Sequence, residues 1–426
     1  MISLILLIFF AFLISGTPIA FSLVISATIF LYFGTTRPLE AIVQQMFTAA
    51  DSFPLMAIPF FLLAGELMNV TGITNQLVAF ANILIGWIRG GLAQVNILVS
   101  MLFAGITGSA IADTAAIGSI LIPSMKEEGF DADFSAAITA ASSVIGPIIP
   151  PSIIMVVYGS TLNISIGAMF AAGILPGILV GLGLMVAAFI VSGKRKYPTH
   201  KFDWRPKTIA NGLKEAFFAL LMPLIILGGI LSGVFTATEA GAVAVLYALI
   251  VGLFIFRSLK FKDIYTALLR TAITTSTIML LVSVSNPFGW VLSIQQIPQL
   301  VASSLLSISE QPLVILILMN ILLLIAGMFI ETTANVLILA PILMPIAISV
   351  GIDPLHFAMI MIVNLIIGLI TPPLGLCLFV AAPIAEITIE RLSISILPYL
   401  FVEILVLLLI TIFPKISLFI PSLLGF

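Results

Sequence analysis

Charge is what this chain has least of. Of its 426 residues, 8% are Asp, Glu, Lys or Arg and 61% are hydrophobic, where a soluble domain carries roughly a quarter charged residues. Sixteen basic and eighteen acidic side chains cannot cover a water-soluble globule of this length, so the fold class is an all-α polytopic membrane protein. The one cysteine, Cys377, excludes an internal disulfide and a cysteine-rich metal site. The two histidines, His200 and His356, stand outside any HExxH or HxxE setting, which argues against zinc chemistry and an enzyme built on it. A net charge of −2 implies no nucleic-acid partner. The N-terminus lacks a basic stretch ahead of an apolar run too long for a secretory leader, and reads as a retained first span.

What the chain has in abundance is apolar sequence. Its stretches predict about 11 membrane spans, plus segments too short or too broken by Gly and Pro to cross, read as two re-entrant helical hairpins. A polar linker, 194–214, holds Lys194, Arg195, Lys196, Lys201, Arg205, Lys207 and Lys214. Arg257, Lys260, Lys262 and Arg270 follow after two apolar spans, so both basic groups lie on one side, cytoplasmic by the positive-inside rule. The linker separates a first repeat, 1–193, from a second, 215–426. Setting Gly129 on Gly351 gives an offset of 351 − 129 = 222, which also matches Gly105 with Gly327, Pro123 with Pro345, Asp131 with Asp353 and Gly146 with Gly368. The same shift brings Pro150-Pro151 onto Pro372-Pro373 without a gap. Apolar letters coincide by chance in such a composition; Gly, Pro and Asp positions do not. Duplicated halves with matching broken helices point to a secondary transporter whose site lies at the repeat interface.

Two pairs of segments carry the polar chemistry. GITGSAIADT (Gly105 to Thr114) and GMFIETTANV (Gly327 to Val336) each set hydroxyl, carboxylate and amide groups inside apolar surroundings. GPIIPPS (Gly146 to Ser152) and GLITPPLG (Gly368 to Gly375) each place tandem proline after glycine, which unwinds a helix and leaves carbonyl oxygens without intrahelical donors. A bare Na+ needs a cage of such oxygens; the competing reading is a kink that only allows close helix packing. Asp113 and Glu331 sit in the hairpins, where a buried charge is costly and functional by default. Glu239 opens an apolar span, as an N-cap partner or as a transport residue. Glu66, Glu386 and Glu403 read as partners for other helices or as interfacial residues. No Lys or Arg falls in either pair, so an anion there would be held by helix N-termini, hydroxyls and bound cations. Ser109, Thr114, Ser142, Ser143, Ser165, Thr332, Thr333, Asn335 and Asn364 are the candidates, each with the alternative of a bond to its own helix. The tip KEEGFDAD, Lys126 to Asp133, reads as a solvated loop, and Trp87, Trp204 and Trp290 as interfacial anchors.

At these motifs, and along essentially its whole length, the sequence resembles the large membrane subunit (M or DctM) of the tripartite ATP-independent periplasmic (TRAP) transporters, most specifically through GITGSAIADTAAIGSILIPSMKEEGFDADFSAAITAASSVIGPIIPPSI. The resemblance implies a multi-pass protein of the bacterial inner membrane, a symporter driven by two or more Na+ and working by an elevator movement, with no organic cofactor. It implies an organic anion such as a sialic acid or a C4-dicarboxylate, with sialic acid favoured. It also implies a soluble periplasmic substrate-binding protein and a small four-helix membrane Q subunit, here expected as a separate chain. Carried over residue by residue, one Na+ site would be Gly105, Thr107 and Ser109 facing Gly146, Ile149 and Pro150. The other would be Gly327, Thr332 and Asn335 facing Gly368, Thr371 and Leu374. Asp113, Ser165, Glu239 and Glu331 resemble polar residues important in sialic-acid members. At the 222-residue offset Asp113 matches Asn335 while Glu331 matches Ser109, so the acids are exchanged between the hairpins. The rival class is a proton-linked exchanger or channel using Asp113 and Glu331. An intramembrane protease is disfavoured by the absence of paired YD and GxGD signatures or of a serine with an intramembrane histidine.

Overall fold

The computed structural model of the chain describes residues 2–34, 37–197, 206–309 and 311–426, and every regular element among them is helical. His200, Lys201, Trp204 and Arg205 lie outside the described residues, as do the side chains of Thr107 and Lys207.

The first half opens with α1 (Ile2–Ile14), α2 (Ile19–Gly34), α3 (Glu40–Ala50), α4 (Ala57–Val70) and α5 (Ile73–Ile85). A hairpin of α6 (Gly91–Thr107) and α7 (Ala110–Glu127) leads to α8 (Ala132–Ser143), an irregular stretch 144–152, α9 (Ile153–Leu162) and α10 (Ile166–Arg195). Beyond the linker come α11 (Pro206–Leu231), α12 (Ala237–Ile250), α13 (Phe261–Ile294) and α14 (Ile297–Ile308). A second hairpin, α15 (Pro312–Phe329) with α16 (Thr332–Ser349), leads to α17 (Pro354–Gly368), a break at 369–375 and α18 (Leu376–Ala385). The chain ends in α19 (Ile389–Ser395), α20 (Leu397–Ile412) and α21 (Lys415–Leu424).

The offset read from the sequence recurs in the helix boundaries: α7 and α16 start at 110 and 332 and end at 127 and 349, 222 apart in both cases. Both helices stop by the same device. Gly129 (φ 88°) and Gly351 (φ 81°) take the left-handed conformation that other residues resist. The following Phe130 and Ile352 N–H groups then donate 3.0 Å bonds back to Met125 and Ala347. Tandem proline breaks the chain at 150–151 and 372–373 in both halves.

Among the described residues, six helices are long and apolar enough to cross a membrane, seven if α19 and α20, bent by 51°, form one span. The sequence expectation of about 11 spans counted apolar stretches; the difference arises because Gly, Pro and polar breaks divide them into short helices such as α9 and α18. The halves interlock reciprocally. The second arm of hairpin 1, α7, packs on α18, and the second arm of hairpin 2, α16, packs on α9, so each hairpin rests on the other half's broken helix. One large apolar core joins these elements, while α1, α2 and α3 form a separate cluster with the C-terminal part of α13.

At the end of α10 an ion-pair clasp draws the pieces together. Arg195 donates to Asp131 at 2.9 Å and Asp133 at 3.0 Å, and Arg391 of α19 donates to Asp133 at 3.1 Å. Ser395 and Tyr197 donate to these aspartates at 2.6 Å, and Lys126 pairs with Glu386 at 3.1 Å. The KEEGFDAD tip, read from sequence as a solvated loop, is therefore a joint in which Asp133 is 6% exposed. The small residues and closely spaced acids of that tip gave no sign of partners some 60 and 260 residues away.

Candidate functional site

Hairpin 1 turns at Gly108 (φ 60°), which ends α6, and Ser109, which caps α7 with a 3.5 Å bond from the Ala112 N–H. The turn lies directly on the first break. A Cβ placed on Gly108 would sit 2.8 Å from the Pro151 carbonyl oxygen, and one on Gly105 would sit 3.7 Å from that of Pro150 and 2.7 Å from the Pro223 ring. Glycine at 108 is what lets the turn reach the Pro151 carbonyl, and glycine at 105 makes room for the Pro223 ring of α11 beside the Pro150 carbonyl. One turn into α7, the fully buried Asp113 carboxylate lies against Gly146, with Cγ 3.1 Å from where a Gly146 Cβ would stand. A carboxylate, a hydroxyl and unwound backbone thus converge, and Gly105, Ser109, Gly146 and Pro150 of the expected first cation site are brought together.

Hairpin 2 is built differently. Glu331 caps α16, accepting from the Thr333 and Ala334 N–H groups at 2.8 and 3.2 Å and from the Thr333 hydroxyl at 2.9 Å. Asn335 donates to the carbonyls of Ala326 (3.2 Å) and Ile330 (2.8 Å), tying the turn to the end of α15. Gly327 and Gly368 meet backbone to backbone: a Cβ on Gly368 would stand 2.6 Å from the Gly327 Cα and 2.7 Å from its oxygen. Thr371 donates to the Ile367 carbonyl at 2.8 Å, and the buried Thr332 hydroxyl has no hydrogen-bond partner among the described residues. Gly327, Thr332, Asn335, Gly368 and Thr371 of the expected second site are again close in space. Leu374 is half-exposed and Ile149 packs at the edge of the core, so either would contribute a backbone carbonyl.

The two tips face one cavity of about 610 Å³, a size suited to a small organic molecule. The cavity is lined by Gly108 to Ile111 and Glu331 to Ala334 of the two turns, by Pro18 with the start of α2 (Ile19 to Phe21), and by Thr274 and Thr277 of α13. Among the described lining residues there is no lysine or arginine. Two helix starts, α7 and α16, open into this space; the positive end of the α7 dipole, under its neutral serine cap, favours an anion, while that of α16 is already met by the Glu331 carboxylate. Sequence reading missed Thr274 and Thr277; the available signal was the hydroxyl run TTST inside the otherwise apolar α13.

Other candidates lie elsewhere. Ser142 joins a buried network, donating to Asn96 at 2.9 Å and accepting from Ser100 at 2.9 Å, while Asn96 donates to Thr139 at 2.7 Å. Asn364, at the matching position of the second half, donates to Asn320 Oδ1 at 2.7 Å. These bonds lock α6 to α8 and α15 to α17 rather than facing the cavity. Thr114 and Ser143 bond their own helix, to Ala110 at 2.9 Å and Thr139 at 2.7 Å. Ser165 caps α10 and lines a second pocket of about 530 Å³, also bordered by Thr236 and Thr238. Glu239 closes a capping box with Thr236 beside that pocket, which is the N-cap alternative stated above. Glu66 pairs with Arg270 at 3.6 Å.

Over residues 6–416 the chain matches the family described as Tripartite ATP-independent periplasmic transporter, DctM component. It is 44% identical over 411 residues to the sialic acid TRAP transporter large permease protein SiaM of Vibrio cholerae, covering 96% of both chains. It is 43% identical to the isethionate TRAP transporter permease protein DctMQ of Oleidesulfovibrio alaskensis, covering 96% of this chain and 65% of that one. It is 40% identical to the C4-dicarboxylate TRAP transporter large permease protein DctM of Pseudomonas aeruginosa, covering 95% and 94%. Among solved structures, the YdaH transporter of Alcanivorax borkumensis aligns with a TM-score of 0.57 at 17% identity over 87% of each chain. Neisseria gonorrhoeae MtrF aligns with a TM-score of 0.57 at 13% identity over 96% and 94%, and at such identities the likeness concerns the fold alone. With two broken helices, two hairpins and one cavity between them, matched over nearly all its length, the chain belongs to the DctM-component family of tripartite ATP-independent periplasmic transporters, a multi-pass membrane permease for solutes.

Proposed function

We propose that this permease imports an organic anion by Na+-coupled symport across the bacterial inner membrane. The observation that carries the proposal is the convergence, in each half, of a polar hairpin turn with carbonyl-rich unwound backbone: Gly105 and Gly108 on Pro150 and Pro151, and Gly327 on Gly368. Hard oxygen donors and no basic residue suit a small cation, and cations beside the cavity would supply the charge that an anionic solute needs. The first ion would sit among the 105–109 and 146–150 backbone groups with Asp113, the second among Gly327, Thr332, Gly368 and Thr371.

The relatives' printed substrates are sialic acid, isethionate and C4-dicarboxylates, all organic anions, and we favour sialic acid because SiaM is the most similar of the three compared. The cavity lies between the two hairpin tips and the separate α1–α3 and α13 cluster, an arrangement suited to an elevator movement of the hairpin unit against that cluster. A periplasmic binding protein would deliver the solute. A four-helix Q subunit would extend the scaffold.

Reconstituted with the Q-type partner and a solute-loaded binding protein, the permease should accumulate solute only with an inward Na+ gradient. Uptake unchanged when K+ replaces Na+ would overturn the Na+ reading, and uptake driven by a pH gradient alone would favour a proton-linked exchanger working through Asp113 and Glu331.

A further inference from the structure

Glu403 of α20 is fully buried, and neither of its carboxylate oxygens has a hydrogen-bond partner among the described residues. The Tyr399 hydroxyl, one turn earlier on the same face, is buried in the same condition. The position is deep. Neighbouring Val402 presses on α10 at Gly183, where a Cβ would stand 2.9 Å from Val402 Cγ1, and Gly183 precedes the Arg195 clasp by 195 − 183 = 12 residues, about 18 Å along the helix.

The elements packed against α20 are α8, α10, α15, α17 and α19. Their titratable and charged groups stand at helix ends: Asp133 of α8, Lys194 and Arg195 of α10, Glu390 and Arg391 of α19, and His356 of α17, which lies beside Thr411 at the far end of α20. The segment Pro312–Phe329 of α15 holds none. Arg195 is committed to Asp131 and Asp133, and Arg391 to Asp133. Cys377 of α18 lies within electrostatic reach of both Glu403 and Asp113, and its thiol meets the Thr114 hydroxyl.

An ionised carboxylate enclosed in apolar surroundings is strongly disfavoured without a countercharge or donors. A metal cation would need an oxygen cage, but the residues around Glu403 on α20 (Leu400, Val402, Val406, Leu407) are hydrocarbon. A proton neutralises the group with no further ligand. We propose that Glu403 is a proton-binding site of the permease, separate from the hairpin cavity and filled from the Arg195 end of the α10–α20 seam past Tyr399. Its proton keeps that seam closed, and the ionised form opens it towards Arg195 and Arg391. The step is a simple exchange: a carboxylate oxygen takes a proton from hydronium in the water at the clasp, leaving a neutral water, and returns it by the same route.

Infrared spectra of the full-length protein in lipid nanodiscs, without Na+ or solute, read this directly. At neutral pH a protonated-carboxyl C=O band should be present that shifts in D2O, is lost in Glu403→Gln and moves in Glu403→Asp. A spectrum without such a band, or one unchanged by both substitutions, overturns the proposal. In proteoliposomes at saturating driving ion, wild-type uptake should fall as the pH on the clasp side rises, by about tenfold per unit beyond the midpoint, while Glu403→Gln loses that fall. Identical pH profiles would refute the coupling of the seam to the proton. Because the spectroscopy needs no Na+, its outcome is independent of whether Na+ drives transport.

Discussion

The two hairpins share a backbone and differ in chemistry. Both second arms run 18 residues, both stop at a left-handed glycine, and both begin at a capped turn against a broken helix. Yet hairpin 1 has a neutral serine cap held at 3.5 Å, while hairpin 2 has a glutamate taking two N–H groups and a hydroxyl. One turn further, hairpin 1 has the carboxylate of Asp113 and hairpin 2 the amide of Asn335. An amide can donate, so Asn335 closes its own turn through Ala326 and Ile330; a carboxylate can only accept, and Asp113 is turned onto Gly146 instead. Hairpin 2 is therefore the self-contained, structurally braced member. Under the proposed function, hairpin 1 is the member whose carboxylate would face a cation and whose uncharged helix start would face the anionic end of a solute.

The largest effect that tests this division concerns the glycine contacts. In Gly368→Ala the new methyl must displace the Gly327 backbone at 2.6 Å, and backbone on a packed helix yields little. Overpacking of this kind costs about 1–3 kcal/mol or more, so the variant should lose thermal stability and elute as aggregate in size-exclusion chromatography. In Gly146→Ala the methyl meets chiefly the end of the Asp113 side chain, which can rotate away, and the Ser143 carbonyl oxygen at 3.2 Å, which need give only by a few tenths of an ångström. That variant should stay folded while its apparent Na+ affinity falls. Equal instability of the two variants would show that both halves are braced alike.

Exchanging the polar pair comes next. Asn335→Asp removes both donated bonds and sets a charge beside two carbonyls, of which that of Ala326 keeps the Ile330 N–H at 3.0 Å; losing hydrogen bonds to buried acceptors and burying a charge against them costs about 1–3 kcal/mol, so melting temperature and uptake should fall together. Asp113→Asn keeps the shape and removes a membrane charge, so insertion and melting should hold. If Asp113 supplies about 1.4 kcal/mol of cation binding, half-maximal Na+ should rise about tenfold. A large stability loss in Asp113→Asn with unchanged Na+ dependence would assign Asp113 to architecture and remove the contrast.

Much of this framework was legible from Gly, Pro and Asp positions alone, because backbone geometry restricts which residues can stand at a left-handed turn or a tandem-proline break. The 222-residue offset thus anticipated both helix ends and both breaks. Contacts between distant segments were not legible. Ser142 and Asn364 looked like ligand groups, and only the packed helices show that they face Asn96 and Asn320. With 61% hydrophobic residues the apolar periodicity that marks a buried face disappears, so nothing distinguished Glu403, sealed inside, from Glu66, which meets Arg270. Thr274 and Thr277 were overlooked for the converse reason: a hydroxyl in a membrane helix ordinarily bonds its own backbone, as Thr277 also does at 3.0 Å.

The smallest effect sharpens the comparison at the caps themselves. Glu331→Ala withdraws an acceptor from the Thr333 and Ala334 N–H groups and from the Thr333 hydroxyl, and should cost about 1–2 kcal/mol, the upper part of the range for caps. Ser109→Ala withdraws one long bond and should cost about 0.5 kcal/mol. On transport the order should reverse in kind: the serine variant leaves stability nearly intact but removes a hydroxyl from the cavity wall and the cation segment, so its deficit should appear in half-maximal Na+ and solute concentrations rather than in melting temperature. Thermal unfolding in parallel with uptake kinetics separates the two. A Ser109→Ala protein with wild-type kinetics would make the Ser109 cap a bare scaffold and shift the polar role of hairpin 1 onto Asp113.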